Sequence, residues 1–377
     1  MKIAIEAQRI FRANKHGMDF VALETIRELQ KLDTTNKYFI LVSPGPDHCL
    51  QETPNIHIIE INCPTYPLWE QIALPRVLKK IKPDILHCTS NTAPLYCSVP
   101  LILTLHDIIF LEPRKDSNKS LYQNMGRYYR RLIVPHILSH CKKIITVSNY
   151  ERNHILETLK LPQEQIAAVY NGYNKHFRMI NRKEIPSIVK KYTNVENYIF
   201  FLGNTDPKKN VPRTLKAYSL YLQYSNQKRP LLIADLKEDV LDEILKKLQI
   251  EHIKLHIHCT GYVPNSDLPY LYNGAYIFLY TSLRESFGIP ILEAMACGTP
   301  VITSNTSSMP EIAGEQAILV NPYKEENIME KLLLLESDTH LYQQQIIYGL
   351  QRIKTFSWEN TAKKLLSIYS SLSKEQA

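Results

Sequence analysis

The sequence contains no apolar run long enough to cross a bilayer, so it does not predict a membrane-spanning protein. Its first ten residues, MKIAIEAQRI, lack the charged and apolar regions of a signal peptide. From these two absences we expect a cytoplasmic protein. The sequence also has no GxGxxG run between Ile5 and Gly17, which argues against a nucleotide-dependent oxidoreductase.

The seven cysteines show no CxxC spacing. They are Cys49, Cys63, Cys88, Cys97, Cys141, Cys259 and Cys297. This scatter argues against a zinc site and against a disulfide framework, so we expect reduced thiols and no bound metal. The net charge of +8 would suit anionic lipid, nucleic acid or phosphorylated substrates. Because no nucleic-acid-binding motif accompanies the charge, we expect no nucleic-acid partner.

The length of 377 residues, and the alternation of short apolar segments with helical patterns, predict two α/β domains with parallel sheets. The predicted strands of the first half are 2–7, 38–42, 56–61, 84–87, 101–105, 143–147 and 166–170. The predicted strands of the second half are 198–202, 231–233, 253–257, 276–280, 300–303 and 317–320. The polar stretch 174–196 has no strong core pattern and is predicted to contain the domain linker.

The segment RESFGIPILEAMACGTPVITSN, residues 284–305, combines a turn, a helix start and two spaced carboxylates. Gly288 supplies a flexible backbone, and Pro290 suits the first position of a helix. The free N–H groups and the dipole of such a helix start form an anion site, for which phosphate is the commonest occupant. Glu285 precedes the helix, and Glu293 is expected in its first turn. One carboxylate suits the vicinal hydroxyls of a ribose and the other those of a second sugar.

This segment resembles the signature of the retaining nucleotide-sugar glycosyltransferases of the GT-B fold, in particular glycosyltransferase family 4, whose paired glutamates stand at this spacing. The resemblance implies two Rossmann-like doubly wound α/β domains that face each other across a cleft. It places an acceptor-side domain at 1–180 and a nucleotide-sugar-binding domain at 195–355, with a C-terminal helix in 356–377 that crosses back onto the first domain. It further implies that Glu293 holds the ribose and Glu285 the hydroxyls of the donor sugar.

A second phosphate-type site is predicted where the first strand of the second half leads into GNTDPKKNVPRTLKAY. The glycine of this site is Gly203. The resemblance implies that Lys209, which precedes an asparagine, binds the donor phosphates. Many relatives carry an arginine directly after the glycine, where this chain has Asn204. We therefore expect Lys208 or Arg213 to supply the second positive charge.

Other donor-binding positions follow from the resemblance. Tyr262 and Val263 match family positions that wall the nucleobase, with a plain turn as the alternative. Ala234 and Asp235 stand where relatives usually have a glycine. The expected donor-binding set is completed by Phe287, Gly288 and Ile289.

Two histidines end neighbouring strands of the first half, His87 in HCTSN and His106 in HDIIF. Open α/β sheets place ligands at the carboxyl ends of their strands. The resemblance implies that His106 faces the donor sugar, while His87 is either an acceptor-side residue or a structural side chain. The loop containing Gly17 and Met18 corresponds to a family loop beneath the acceptor and diphosphate; an ordinary loop glycine is the alternative for Gly17. The cluster RYYRR, residues 127–131, suits an anionic acceptor, a membrane surface or a solvated helix face.

The resemblance implies an enzyme that transfers a hexose-type sugar, with retention of configuration, from GDP-mannose or a UDP-sugar to a glycan or lipid-linked glycan acceptor. The expected catalytic residues are His106, Glu285 and Lys209. No cofactor or metal is expected, because lysine can neutralise a diphosphate without a metal. We expect a role in surface polysaccharide biosynthesis, and the positive charge would favour peripheral association with the inner membrane surface.

Other classes of protein remain as alternatives. A non-catalytic GT-B scaffold or binding subunit is expected to lose the charged site residues, yet both glutamates, Lys209 and His106 are present. A nucleotide-sugar epimerase is a second enzyme class for this fold. A phosphorylase is disfavoured, because no lysine stands in a sequence suited to a pyridoxal cofactor.

Overall fold

Apolar segments of three to six residues form two parallel sheets, and each sheet lies at the centre of one folding unit. The computed structural model describes residues 1–112 and 121–374. Its contacts define a first unit, Met1–Gly172 joined by the helix that begins at Trp358, and a second unit, Tyr173–Ser357. The unit boundaries therefore fall at residues 172/173 and 357/358, whereas the predicted first domain ends at 180 and the predicted second domain spans 195–355.

The first unit contains a seven-stranded sheet. Its strands are β1 (Lys2–Glu6), β2 (Lys37–Val42), β3 (Ile56–Glu60), β4 (Ile85–Cys88), β5 (Leu101–Thr104), β6 (Cys141–Thr146) and β7 (Ile166–Ala168). They are parallel and lie in the order β3-β2-β1-β4-β5-β6-β7. Strands such as β5, whose residues LILT are all buried, are typical of a parallel sheet covered on both faces.

The second unit contains a six-stranded parallel sheet. Its strands are β8 (Tyr198–Leu202), β9 (Leu231–Ala234), β10 (Ile257–Gly261), β11 (Ala275–Tyr280), β12 (Val301–Ser304) and β13 (Ile318–Val320). Their order is β10-β9-β8-β11-β12-β13. In both sheets the first strand of the unit lies in the middle, so the winding reverses beside it, between β1 and β4 and between β8 and β11.

Helices connect these strands and cover the sheets. They are α1 (Gly17–Leu32), α2 (Tyr66–Leu68), α3 (Leu74–Ile81), α4 (Leu121–Leu138), α5 (Asn149–Leu159), α6 (Ile185–Val189), α7 (Val211–Tyr224), α8 (Glu238–Leu248), α9 (Leu268–Gly274), α10 (Ile289–Ala296), α11 (Met309–Ala313), α12 (Glu325–Ser337), α13 (Thr339–Arg352) and α14 (Trp358–Lys374). A π-helical turn, Trp69–Ala73, joins α2 to α3.

Hydrophobic cores lie on both faces of the first sheet. Successive side chains of a strand point to opposite faces. Ile3 and Ile5 accordingly belong to the core that contains residues of α1 and α14, whereas Ala4 belongs to the core that contains residues of α3 and α4. This arrangement confirms the predicted doubly wound α/β architecture.

One predicted strand was placed wrongly. Residues 253–257 were expected to form a strand because Ile253, Leu255 and Ile257 alternate with polar residues. In the structure Glu251–His256 is a 3-10 turn, and the strand starts only at Ile257. Leu255 is 89% exposed, so the alternation does not reflect one buried strand face.

The predicted linker is part of the second unit. Helix α6 contacts α9, and only Val189 of that short helix is buried. Tyr192 donates a hydrogen bond from its hydroxyl to Asp267 at 2.7 Å. A single buried side chain gives no periodic pattern, which is why the sequence did not reveal this packing.

The terminal helix α14 packs against α1 and fills one core of the first unit. Its buried residues include Leu365, Ile368 and Tyr369. The hydroxyl of Tyr369 lies 2.6 Å from Nδ1 of the buried His87. The last helix thus completes the unit that begins at the amino terminus.

Two properties concern the chain as a whole. All seven cysteines are free thiols, three of them buried and four half-buried. Within residues 1–112 and 121–374, none of the helices has the length and apolar character that crossing a membrane requires.

We predict that Tyr369→Phe lowers the free energy of unfolding by about 1–3 kcal/mol, because it keeps the packed ring but removes the partner of a buried ring nitrogen of His87. Urea denaturation measures the change. Ser367→Ala, at an exposed position of α14, serves as the control and should leave stability within about 0.5 kcal/mol of the original. Equal stability of the two variants would contradict the assigned role of this hydrogen bond.

Candidate active site

The candidate site of the second unit forms where β8 and β11 end side by side. The winding of the sheet reverses between these strands, and such reversal points are where open α/β sheets bind ligands. The loop after β8 contains the 3-10 turn Pro207–Lys209, and the loop after β11 leads to α10. The two strands therefore place both predicted phosphate-type segments at one edge of the sheet.

An ion pair joins the two loops. Lys209 Nζ donates to Glu285 Oε1 at 2.7 Å, and it also lies 3.3 Å from the hydroxyl of Tyr280. Lys208 Nζ lies 3.9 Å from the other carboxylate oxygen of Glu285. Two lysine charges therefore converge on one carboxylate.

These lysines decide the charge of Glu285. Burial by itself would raise the pKa of this carboxyl, but the charges of Lys209 and Lys208 outweigh burial and lower the pKa. The backbone around the residue is fixed as well: the Glu285 N–H donates to Ser307 Oγ, and its carbonyl accepts from Ser308 Oγ. Glu285 is thus a preorganised, ionised acceptor of hydrogen bonds.

Helix α10 starts directly after Gly288, whose φ of 101° lies in the left-handed region that favours glycine. Ile289 and Pro290 occupy the first two helical positions. Glu293 is the fifth residue of the helix, so the expectation that it lies in the first turn was wrong by one residue. The first turn itself carries no acidic side chain, which leaves its amide groups and dipole suited to an external anion.

Glu293 has the opposite charge state to Glu285. Burial raises the pKa of its carboxyl to about 8, and a hydrogen bond of 3.3 Å from the Tyr272 hydroxyl only partly offsets this effect. At neutral pH the ligand-free site therefore contains one ionised and one protonated glutamate. The difference comes from the lysines beside Glu285.

The residues around the glycine turn have mainly structural contacts. Gly203 donates its N–H to the Ala234 carbonyl, and a Cβ there would lie 2.8 Å from the Phe201 ring. Asn204 Oδ1 accepts from the Asp206 N–H in a local turn. Gly203 is thus required for packing, and its amide is already bonded within the sheet.

The second charge beside Lys209 comes from Lys208 rather than Arg213. The Arg213 guanidinium lies 5.4 Å from the ring centre of Tyr323 and contacts Asn210 at 3.4 Å. Lys208 instead approaches Glu285. The geometry thus favours one of the two alternatives that the sequence left open.

The other predicted donor-binding side chains differ in accessibility. Phe287 is buried and packs edge-on against Phe356 at 6.0 Å, so only its backbone can reach a ligand. Val263 is also buried, whereas the neighbouring Tyr262 is 77% exposed. Ile289 is half-buried at the start of α10. Of the predicted nucleobase wall, Tyr262 alone offers an open ring.

In the first unit His106 is held by two residues of the loop after β4. Asn91 Oδ1 accepts the His106 backbone N–H at 2.7 Å, and the Thr89 carbonyl lies 3.0 Å from Nε2. A carbonyl only accepts, so Nε2 bears the proton. Burial lowers the pKa of His106, which leaves a neutral ring whose Nδ1 can accept a hydrogen bond.

His87 has both ring nitrogens occupied by the protein, Nδ1 by Tyr369 and Nε2 by Thr104 at 2.8 Å. Burial, followed by the charge of His106, lowers its pKa to about 3. This geometry favours the structural alternative for His87.

Gly17 is exposed at the start of α1 with open space around it, and Met18 is half-buried beside it.

Several residues that shape these sites were not predicted from the sequence. Asn210 has a left-handed backbone with φ of 61°, and its amide donates to the carbonyls of Thr281 and Pro322. Asn91 was visible only as part of HCTSN, and Tyr280 only as a strand residue.

Among the residues that the structure describes, no three His, Cys, Asp or Glu side chains are grouped so that they could hold a metal ion.

We predict that Glu293→Gln stabilises the ligand-free protein at alkaline pH. The raised pKa means that the folded state binds a proton more tightly than the unfolded chain, so this carboxyl reduces stability as pH rises from about 4.5 to about 8. The neutral amide removes that cost, which is on the order of a few kcal/mol. Thermal unfolding should show a larger gain in Tm at pH 8.5 than at pH 5.5. A gain independent of pH would contradict the assigned charge state.

Comparisons with known proteins agree with this architecture. Residues 181–352 match the family described as glycosyl transferases group 1, and residues 16–177 match glycosyltransferase family 4. The O-antigen chain mannosyltransferase B of Escherichia coli is 31% identical over 277 residues, covering 72% of this chain and 70% of that protein. The O-antigen chain mannosyltransferase RfbU of Salmonella typhimurium is 31% identical over 267 residues, covering 70% of this chain and 67% of that protein.

A solved structure shows the same fold. The glycosyltransferase from Rickettsia africae superposes with a TM-score of 0.74 at 20% identity, covering 99% of this chain and 98% of that chain. The two parallel-sheet α/β units thus have the predicted GT-B fold. With the fold, both family matches and two relatives at 31% identity in agreement, the chain belongs to glycosyltransferase family 4.

Proposed function

We propose that the protein is a retaining hexosyltransferase that moves a sugar from a nucleoside diphosphate to a glycan or lipid-linked glycan in surface polysaccharide biosynthesis. The observation that carries the proposal is the Lys209–Glu285 ion pair beside the start of α10. This edge of the sheet thus combines lysine charge, an ionised carboxylate and the amino-terminal end of a helix. The named activities of the two O-antigen chain mannosyltransferases support both the sugar class and the polysaccharide acceptor.

Stabilisation of the leaving group is the central task of such a site. Negative charge grows on the diphosphate as its bond to the anomeric carbon breaks. Lys209, Lys208 and the positive end of the α10 dipole would then interact more strongly with the transition state than with the bound donor. Because the lysines and the helix dipole supply this stabilisation, we propose that the reaction requires no metal.

The two glutamates would bind different hydroxyl groups. Glu285 is ionised and can accept paired hydrogen bonds from the donor sugar, while Glu293 would hold the ribose. Ribose hydroxyls favour the charged carboxylate, so donor binding would release the proton of Glu293. We assign His106 to the transferred sugar because its neutral Nδ1 can accept a hydrogen bond from a hydroxyl group.

We propose retention of configuration because the sequence resembles retaining members of family 4, and front-face attack by the acceptor requires no protein nucleophile. The acceptor would attack the anomeric carbon from the face that the diphosphate leaves. The leaving oxygen could then accept the acceptor's proton, so that both bond changes and the proton transfer occur on one side. The proposed donor is GDP-mannose or a UDP-sugar.

The activity test screens GDP-, UDP-, ADP- and dTDP-linked sugars with the full-length protein in the presence of EDTA. We predict slow release of free sugar from one donor, and a loss of about 100- to 1000-fold in kcat/KM for Lys209→Ala. Lys254→Ala removes a comparable lysine that pairs with Glu238, and it should retain the original activity. If no nucleotide sugar binds, or if both lysine variants behave alike, the transferase proposal fails and the scaffold alternative replaces it.

We also propose peripheral binding to anionic membranes through α4. Its exposed face carries Met125, Tyr128 and Leu132, which are 69%, 70% and 62% exposed and recur at helical spacing. The exposed Arg131 lies on the same helix. An apolar stripe beside a cation suits a surface of anionic lipid. The buried Arg127, by contrast, donates to the Phe110 carbonyl and is structural.

The membrane prediction is that the protein sediments with phosphatidylglycerol vesicles at low salt, and that the triple change Met125→Ser, Tyr128→Ser and Leu132→Ser abolishes this binding. Phosphatidylcholine vesicles should bind it much more weakly because they lack net charge.

The control for this prediction replaces three exposed apolar residues of the second unit by serine. They are Tyr224, Leu255 and Ile347. The control variant should sediment like the original protein. Equal loss in both triple variants would contradict a role for α4 in particular.

A further inference from the structure

Asp235 follows β9 and lies between two segments of the proposed donor site. Because β9 pairs with β8 on one side and with β10 on the other, its carboxyl end is flanked by Gly203 and by Gly261. The Gly203 N–H donates to the Ala234 carbonyl, and the Asp235 N–H donates to the Gly261 carbonyl at 2.8 Å. Asp235 is thus fixed at the site edge by main-chain bonds on both sides.

The backbone of Asp235 is in the left-handed region, with φ of 63°. Side chains other than Gly, Asn and Asp adopt this conformation only at a cost, which makes a non-glycine residue here informative. Aspartate is one of the few residues that tolerate this conformation, so the loop can present a carboxylate here.

The carboxylate does not fit the phosphate part of the site. Partial desolvation raises the pKa of the Asp235 carboxyl and the charge of Lys209 opposes this rise, so the two side chains are close enough to interact. A negative charge beside a diphosphate would weaken binding unless it meets hydrogen-bond donors of the same ligand. The hydroxyls of the transferred sugar are already assigned to Glu285, so the donors that remain for Asp235 belong to the nucleoside.

The neighbouring residues indicate which part of the nucleoside would contact Asp235. Gly261, which accepts the Asp235 N–H, directly precedes Tyr262, whose open ring offers a stacking face for a base. Guanine presents two adjacent donors, N1–H and N2–H, and a carboxylate accepts both at once. Uracil, adenine and cytosine present no such pair of adjacent donors on this edge.

We infer that Asp235 reads the base edge of guanine, and hence that the donor is a GDP-linked sugar. The inference rests on the proposed function, which it narrows from two donor nucleotides to one. Ribose would be the competing ligand for this carboxylate, but ribose contacts are shared by all nucleotides and confer no preference. The base and ribose roles therefore make different predictions.

The test is calorimetric binding of GDP, UDP, ADP and xanthosine diphosphate to the full-length protein without metal. Xanthine has a carbonyl where guanine has its N2 amino group, so an amide N–H can replace the carboxylate oxygen that faces this position. Asp235→Asn should weaken GDP binding by about 10- to 100-fold and strengthen xanthosine diphosphate binding. Asparagine tolerates the left-handed backbone, so the variant should keep the loop conformation.

The matched control is Asp267→Asn. Asp267 belongs to the same unit but pairs with Tyr192 and Lys191, so its variant should keep the original nucleotide preference. If Asp235→Asn weakens the binding of every nucleotide equally, the residue contacts ribose and the inference is wrong. An unchanged preference among the nucleotides would also contradict it. If UDP binds most tightly and Lys209→Ala abolishes that binding, the transferase proposal stands while the guanine inference fails. If no nucleotide binds, both fail.

Discussion

The contact between Lys209 and Glu285 is the interaction on which the candidate site depends. It joins loops that are 76 residues apart in sequence and that meet because β8 and β11 are neighbours in the sheet. Asn210 fixes one of these loops through its buried amide, and Ser307 and Ser308 fix the other. The ion pair therefore exists only because two strands and two rigid loops place its partners together.

The same contact gives the two glutamates different chemistry. Both carboxyls are desolvated, and desolvation alone would raise the pKa of both. The lysines reverse this for Glu285, whereas Glu293 has Tyr272 beside it and keeps its proton. A ligand with a diphosphate and a ribose could change both environments at once, which would couple donor binding to the proton of Glu293.

In the first unit, two histidines of similar sequence context have different environments. His87 is fixed by Thr104 and by the terminal helix, so its nitrogens support the fold. His106 has Nε2 bonded to the Thr89 carbonyl, which leaves Nδ1 as the ring nitrogen that can accept a hydrogen bond. Both follow strands of the same sheet, and the strand-end position alone could not distinguish them. What separates them is the set of side chains brought near by distant segments.

The sequence predicted much of the fold because parallel strands buried on both faces leave long apolar runs, and such runs are legible without a structure. The exception, residues 253–257, shows the limit: Leu255 continued an alternation although it faces solvent. The short helix α6 escaped notice because it buries a single residue. The pattern of apolar residues thus predicted the elements that have a whole buried face and did not predict those that lack one.

By itself the sequence determined the order of the strands along the chain, the glycine that starts α10, and the residue types of the site. These depend on local geometry, since a left-handed backbone favours glycine and a parallel strand needs apolar side chains on both faces. Tertiary structure alone decided that Lys208 rather than Arg213 approaches Glu285, that Glu293 is protonated, and that Asp235 lies beside Gly261. The reason is that charge states and side-chain partners depend on burial and on distances between residues far apart in the chain.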